Sequence, residues 1–340
     1  MPVTIALDAM GGDHGPAVVV PAAVDALAAH PGLCLILTGD EPTLRHVLEG
    51  LTHDAARLAI RHTTEVVESD EPPSQAVRRK KDSSMRVAID LVKEGAAAAC
   101  ISAGNTGALM AIAKFVLKTL PGVDRPAICT TLPSLRGHTH MLDLGANVDS
   151  SAENLADFAL MGSLLAEAAD GISAPRVGLL NIGQEEIKGN ERVKEAARLL
   201  ETTAGINYIG FVEGDHIYMG DVDVVVCDGF VGNIALKTSE GLARLITRRL
   251  KDSFMASAYA KLVGLLARPV LGAFRRHFDP RRYNGASLLG LNGIVVKSHG
   301  GADRVAFANA ITITLREAEQ QLPALISRRL EERLAAQGAA

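Results

Sequence analysis

The chain has 340 residues, 48% of them apolar and 22% charged, with a formal net charge of −4. That length suits one large core or two closely joined lobes, and the charge lacks the basic excess of a nucleic-acid binder. No run of about 20 apolar residues occurs, so no bilayer span is expected, and Asp8 and Asp13 interrupt anything resembling a secretory leader.

In chain order, β-rich runs fall at residues 3–7, 33–38, 97–101, 127–132, 139–142, 176–182, 207–212, 222–227 and 293–297. Helical patterns lie between many of them, at 17–29, 152–169, 190–204 and 304–321. Several of the strand-like runs are continuous Val, Ile and Leu, as expected when both faces are covered. The alternation predicts an α/β fold, a Rossmann-like α/β/α sandwich with a mainly parallel sheet. We expect one catalytic domain over 1–340, in two intimate lobes around a cleft. Cys34, Cys100, Cys129 and Cys227 lie in or at the end of such runs without metal-ligand spacing, which predicts reduced core thiols and a cytoplasmic setting.

The strand-like runs end in turns rich in Gly, Asn, Asp and Ser. These are DAMGGDHGP (8–16), SAGNTGA (102–108), DLGANVDS (143–150), NIGQEEIKGN (181–190), EGD (213–215), DGFVGN (228–233) and SHGGAD (298–303). Ligands of open α/β sheets sit beyond the carboxyl ends of strands, so the seven turns are expected to surround one polar cleft. Gly11 and Gly12 leave the backbone open before a helix starting near Pro16, and Ser102, Gly104, Asn105 and Thr106 repeat that arrangement with hydroxyls and an amide. Free N–H groups at helix starts attract anions; the plain alternative for each turn is a helix cap. Neither turn has the dinucleotide fingerprint or the Gly-Lys-Ser/Thr of a P-loop, and no nucleophile elbow is present. His138 and His140 lack a partner at recognised spacing. Asp143, Asp149 and Glu153 could hold a divalent ion, but turn and cap roles are the stronger reading.

Two basic regions stand apart. Arg78, Arg79, Lys80 and Lys81 form either a solvated face or an attractor for an acidic partner. Residues 244–282 carry ten Lys or Arg against Asp252 and Asp279, interleaved with apolar residues that include Leu262, Leu265 and Leu266. This segment predicts a protruding pair of basic amphipathic helices, kinked or ended at Pro269, for a membrane surface, a partner or a dimer interface.

In this order, DAMGGDHGP, RRKKDSSM, ISAGNTGA, DRPA, DLGANVD, NIGQEEIKGN, CDGFVGNIALKTSEG and GLNGIVVKSHG resemble the phosphate acyltransferase family of bacterial phospholipid synthesis, over roughly residues 3–320. Asn284 and Ser287 stand where that family's pattern has Gly and Pro, which leaves the shape of this loop open. The resemblance implies a fold like that of phosphotransacetylases and isopropylmalate dehydrogenases. It also implies reversible transfer of a fatty acyl group from acyl carrier protein to inorganic phosphate, a homodimer, peripheral membrane association, and no metal or organic cofactor. The product would feed a membrane glycerol-3-phosphate acyltransferase.

Within that scheme Gly11, Gly12, Ser102, Asn105 and Thr106 are expected to bind the anion, with Asp8, Asp13 and Gly104 in the same turns and Gly183 and Lys237 also expected at the substrate. Lys188 is the expected cation for phosphate or the oxyanion. Asn147, Asn181 and Asn233 are candidate amide donors, and Asp228 is expected to orient Lys188 or Lys237. Arg78 to Lys81, Arg275 and Arg276 are candidate contacts for the carrier protein. The rival readings are an acyl-CoA-dependent phosphotransacetylase and a non-catalytic membrane scaffold.

Overall fold

A computed structural model describes residues 2–277 and 279–338. Eleven strands form one sheet: β1 (Val3–Asp8), β2 (Leu33–Gly39), β3 (Leu58–His62), β4 (Ala99–Ser102), β5 (Ala127–Ser134), β6 (Gly137–Leu142), β7 (Arg176–Leu180), β8 (Asn207–Val212), β9 (Val224–Val226), β10 (Ala286–Leu289) and β11 (Ile294–Lys297). Their order is β3-β2-β1-β4-β11-β10-β5-β6-β9-β7-β8. Nine of the eleven were legible in sequence. The two missed are β3, an edge strand in which only Leu58 is buried, and β10, which spans four residues. β3 lacks the two-sided burial that makes a strand readable, whereas Ser287, Leu288 and Leu289 of β10 are buried.

Most pairings are parallel, but β11–β10, β10–β5 and β5–β6 are antiparallel. Three reversals turn the chain direction around, so β6, β9, β7 and β8 run opposite to β1, β4 and β11. The expectation that all seven turns ring one cleft is therefore corrected. The turns after β1, β4 and β11 share one edge of the sheet, and those after β6, β7, β8 and β9 point the other way.

Helices cover both faces. The helix Ala152–Asp170 packs on β6 and β9, and a Cβ at its Gly162 would stand 2.7 Å from Val224 Cγ1 and 2.9 Å from Leu142 Cδ2. The close approach of helix to sheet thus requires glycine there. Helices Pro16–Ala29 and Arg304–Glu319 enclose Leu7, Leu35, Ile101 and Val296. Cys100, Cys129 and Cys227 are buried, and burial pushes all three thiols up, so they are inert core groups.

The basic segment is three helices rather than two. Gly229–Met255 continues into it, followed by Ala258–Leu266 and Arg268–His277. The first break falls at Ser257, whose side chain accepts from Ala260 N–H. Pro269 lies in the first turn of the last helix, where no backbone donor is needed, so it starts a helix instead of ending one.

Asn284 and Ser287 are accommodated by specific bonds. Asn284 Nδ2 donates to Ser298 Oγ (2.8 Å) and Ala306 O (2.9 Å), while its Oδ1 accepts from His299 N–H (2.9 Å). Ser287 Oγ donates to Glu317 Oε1. The loop is thereby tied to the turn after β11.

Candidate active site

The turns after β1, β4 and β11 meet in a dense cluster. β1 and β4 place Asp8 opposite Ser102, and β11 and β4 place Lys297 opposite Ser102. Ser102 Oγ donates to Asp8 Oδ2 (2.6 Å) and accepts from Gly104 N–H (3.0 Å). Asp8 Oδ1 accepts from Met10 N–H and Gly11 N–H at 3.3 and 3.2 Å. Burial pushes the Asp8 carboxyl above its usual range, although hydrogen bonds from Ser102 and Ser84 and from backbone N–H groups pull the other way. Asp8 and Ser102 therefore shape the two turns, with their bonding capacity engaged within the protein.

The glycines have steric reasons. A Cβ on Gly11 would lie 2.5 Å from Asp8 Oδ2 and 2.8 Å from Gly104 N. Gly12, at φ +87°, would place one 2.8 Å from Ala103 Cβ and 3.0 Å from Gly300 O. Asp13 N–H donates to Gly300 O (2.9 Å), joining the first turn to the third.

Lys297 was not singled out from the sequence, and its position is the most informative in the cluster. Its Nζ donates to Ala103 O (3.2 Å) and to Ser298 O. Burial brings its amine down to about 8; the charges of Asp8 and Asp13 work upward against this, and Lys237 adds to the lowering. In sequence it is one lysine closing a Val-rich strand, and only the register of β11 against β4 places it beside Ser102.

Asn105 is a cap and a tether. Its Oδ1 accepts from Ala108 N–H (3.0 Å) and its Nδ2 donates to Ser69 O and Glu71 O, both at 3.0 Å. This corrects its expected role as an anion ligand. Thr106 and Gly107, next in the helix Thr106–Leu117, are exposed, and helix starts leave first-turn N–H groups without intrahelical partners.

The second group forms around Asp143. Its Oδ1 accepts from the N–H groups of Ile128 (3.0 Å), Gly145 (3.2 Å) and Ala146 (3.0 Å), and its Oδ2 from Asn147 N–H (2.7 Å) and Nδ2 (3.0 Å). Burial raises the Asp143 carboxyl despite these donors. Asn147 Nδ2 also donates to Pro126 O (2.8 Å), so both amide hydrogens are committed and Asn147 is corrected from oxyanion donor to turn former. Asn181 Nδ2 donates to Lys188 O (3.2 Å) and closes its own loop.

Asp228 caps the helix Gly229–Met255 by accepting from Val231 N–H (3.0 Å). Lys237 Nζ pairs with Glu240 (3.1 Å). The expected pairing of Asp228 with a lysine is thus replaced by a cap and a helical ion pair. Asn233 is exposed beside Gly145. Lys188 is exposed, its Cγ where it would stand 3.1 Å from a Cβ on Gly183. Arg192 bonds Asp149 and Ser150 O, tying the turn after β7 to the turn after β6. The two groups are related through the helix Gly229–Met255, which is capped by Asp228 and carries Lys237 close enough for its charge to be felt at Lys297.

On the outer side of Thr106–Leu117, Val77, Ala111, Lys114, Phe115, Lys118 and Thr119 line a surface groove beside the exposed Arg78, Arg79 and Lys81. Lys118 Nζ lies 4.9 Å from the centre of the Phe115 ring and Arg86 Cζ lies 5.7 Å from it. The side chains of Arg275 and Arg276 lie outside the described residues. Among the described residues, no helix is long and apolar enough to cross a membrane.

The chain matches the fatty acid synthesis protein family over residues 3–325. It is 61% identical to a phosphate acyltransferase of Halorhodospira halophila over 335 residues, 98% of each chain. It is also 61% identical to that of Methylococcus capsulatus over 338 residues, 99% of each chain. Among solved structures, a phosphotransacetylase from Streptococcus pyogenes superimposes with a TM-score of 0.64 at 19% identity, covering 94% of both chains. EutD phosphotransacetylase from Staphylococcus aureus gives 0.60, also at 19%, covering 93% of this chain and 94% of the other. These last two establish the fold.

The protein is an acyltransferase built on the α/β fold of the phosphotransacetylases. It belongs to the phosphate acyltransferase family, within the fatty acid synthesis proteins.

Proposed function

We propose that the protein transfers a fatty acyl group from acyl carrier protein to inorganic phosphate, with the phosphate held over the turns after β1, β4 and β11. The observation that carries the placement is Lys297, a half-buried lysine whose amine is lowered by desolvation beside two glycine-rich turns. A partly desolvated cation next to unobstructed backbone suits a small, highly charged anion better than an extended neutral ligand. Gly11 and Gly12 keep Cβ atoms out of the space that phosphate oxygens need. Thr106 and Gly107 supply helix-start N–H groups. Lys297 is the proposed phosphate ligand; Lys188, exposed on its loop, is kept as a second cation that meets the acyl donor.

The step is attack of a phosphate oxygen on the thioester carbonyl. The new P–O–C bond forms as the C–S bond breaks, and the electron pair leaves on the carrier thiolate. Phosphate is anionic near neutral pH, so positioning and desolvation do most of the work. The transient oxyanion needs a donor, and the exposed Asn233 amide is the remaining asparagine candidate with no committed bond described above. Such donors are worth about 3 kcal/mol each.

The groove at Phe115, flanked by Lys114, Lys118, Arg78 and Arg79, supports docking of an acidic carrier: an exposed ring centred among cations offers an apolar anchor with a charged rim. The helix Ala258–Leu266 supports membrane contact. It has no buried residue, and Tyr259, Leu262, Leu265 and Leu266 are each more than half exposed. The exposed Leu242, Leu245 and Ile246 on the preceding helix support a face for a second copy. A cytoplasmic protein resting on the membrane would hand its product to a membrane acyltransferase.

The test is phosphate-dependent release of free carrier protein from palmitoyl–acyl carrier protein, with acyl phosphate trapped by hydroxylamine, run beside palmitoyl-CoA. Hydroxamate from the carrier substrate alone, dependent on phosphate, is expected. Preference for CoA would replace the donor assignment, and no product from either would remove the reading.

A further inference from the structure

The β5–β6 hairpin carries a cluster that belongs to neither group of turns. His138 and His140 are two apart on β6, so they project from the same face. Asp170, the last residue of the helix Ala152–Asp170, meets them there. Its Oδ2 lies 2.9 Å from His138 Nε2 and 2.6 Å from His140 Nε2. The three ligand-type atoms all lie within 4.8 Å of one another. Sequence reading found the two histidines but not the carboxylate, which arrives from 30 residues further along through the packing of a helix.

We propose that His138, His140 and Asp170 bind a divalent transition-metal ion of the zinc class, through two imidazole nitrogens and one carboxylate oxygen, with a fourth position open to water.

Three further features favour an ion over a simple ion pair. First, His140 Nδ1 is already engaged, at 3.2 Å from Thr131 Oγ1. A hydroxyl at Nδ1 holds the ring with Nε2 aimed at the Asp170 carboxylate, the arrangement of the outer support of a metal-bound histidine. Second, Asp170 closes a helix whose last turn contains no basic residue. A carboxylate at the negative end of a helix calls for a cation. Third, access is graded: the side chains of His140 and Asp170 are 5% and 15% exposed, while that of His138 is 31% exposed. Buried His140 supplies rigidity, Asp170 is partly exposed, and His138 faces the solvent from which an ion enters.

The geometry needs little adjustment. Tetrahedral zinc with bonds of about 2.0–2.1 Å separates its ligand atoms by roughly 3.3 Å, so the two nitrogen–oxygen distances open by less than about 1 Å. Two other charges reach His138: Asp223, engaged by Arg176, favours a cation, and Arg316 opposes one. Imidazole and carboxylate donors with a site open to water match zinc, with cobalt as a spectroscopic substitute. A bound ion would pin the β5–β6 hairpin to the end of the helix, stabilising the strand that leads into the Asp143 turn.

The experiment uses the full chain after chelator treatment, titrated with zinc chloride alone and, separately, with cobalt chloride. One ion per chain is expected, with the visible absorption of tetrahedral cobalt and a higher melting temperature with zinc. The partly exposed His138→Ala and the isosteric Asp170→Asn should each weaken zinc binding about tenfold or more, and Thr131→Val by a smaller factor in the same direction. Circular dichroism of His138→Ala verifies that it folds, and acyl transfer by this variant is expected to be unchanged. No zinc uptake by the wild-type chain at millimolar ion, or uptake undiminished in folded His138→Ala, would overturn the proposal and leave a plain His–Asp–His hydrogen-bonded cluster.

Discussion

Replacing Lys297 by Met separates its cost to folding from its contribution to function. The amine falls from 10.5 to about 8 on folding because it is largely buried, a difference of about 3 kcal/mol between its charged and neutral forms. Below about pH 8 the amine is charged in both states and the fold bears the whole cost. Between about pH 8 and 10.5 the unfolded chain still holds a proton that the folded chain has released, so the folded state gains stability as pH rises. Above about pH 10.5 both are neutral. Lys297→Met lacks this dependence. It also leaves Ala103 O and Ser298 O without the ammonium, at about 1 kcal/mol for each bond, an offset that does not create the same pH slope. Urea unfolding should therefore show the variant's stability relative to wild type falling by about 3 kcal/mol from near pH 7 to near pH 10.5. In turnover, loss of a charged hydrogen bond worth about 2 kcal/mol lowers kcat/KM for phosphate roughly 30-fold. Wild-type phosphate affinity should weaken as pH rises through about 8, where unliganded Lys297 loses its charge. A variant with unchanged phosphate KM and no difference in pH slope would refute both the burial argument and the assignment of Lys297.

Other outcomes follow from the same coordinates. Gly11→Ala introduces a Cβ 2.5 Å from Asp8 Oδ2 and 2.8 Å from a backbone nitrogen; activity should fall at least tenfold, by about 1.4 kcal/mol or more, with the fold retained by circular dichroism. Glu317 is buried, and burial raises its carboxyl to about 7 against the hydrogen bond from Ser287. The fold is therefore favoured below about pH 4.5 and loses up to about 3 kcal/mol as pH rises through 7, a loss that Glu317→Gln should remove from the pH–stability profile. Asp143→Ala leaves the N–H groups of Ile128, Gly145, Ala146 and Asn147 without their acceptor; a destabilisation of about 3 kcal/mol or more is expected in urea. Arg78→Glu with Arg79→Glu should slow association with an acidic carrier and flatten its dependence on salt, measured by stopped-flow binding, with phosphate KM unchanged.

The sequence by itself determined the α/β class, nine of eleven strands and the identity of the strand-end turns, because those features are written in local periodicity and turn chemistry. Strand direction across β10 and β5 was not local, and it decided that the turns after β1, β4 and β11 gather apart from those after β6, β7, β8 and β9. Asparagines rich in donor capacity looked alike along the chain. Only packing showed that Asn105 and Asn147 spend their amide hydrogens on backbone carbonyls or the Asp143 carboxylate, while Asn233 stands exposed. Lys188 was conspicuous in a charged loop, whereas Lys297 acquired its depressed basicity from burial that no local pattern records. Asp170 likewise became a partner of His138 and His140 only when its helix closed over the sheet. Hydrogen-bond saturation, burial and convergence of distant side chains are properties of the tertiary structure, because each depends on neighbours far away in the chain.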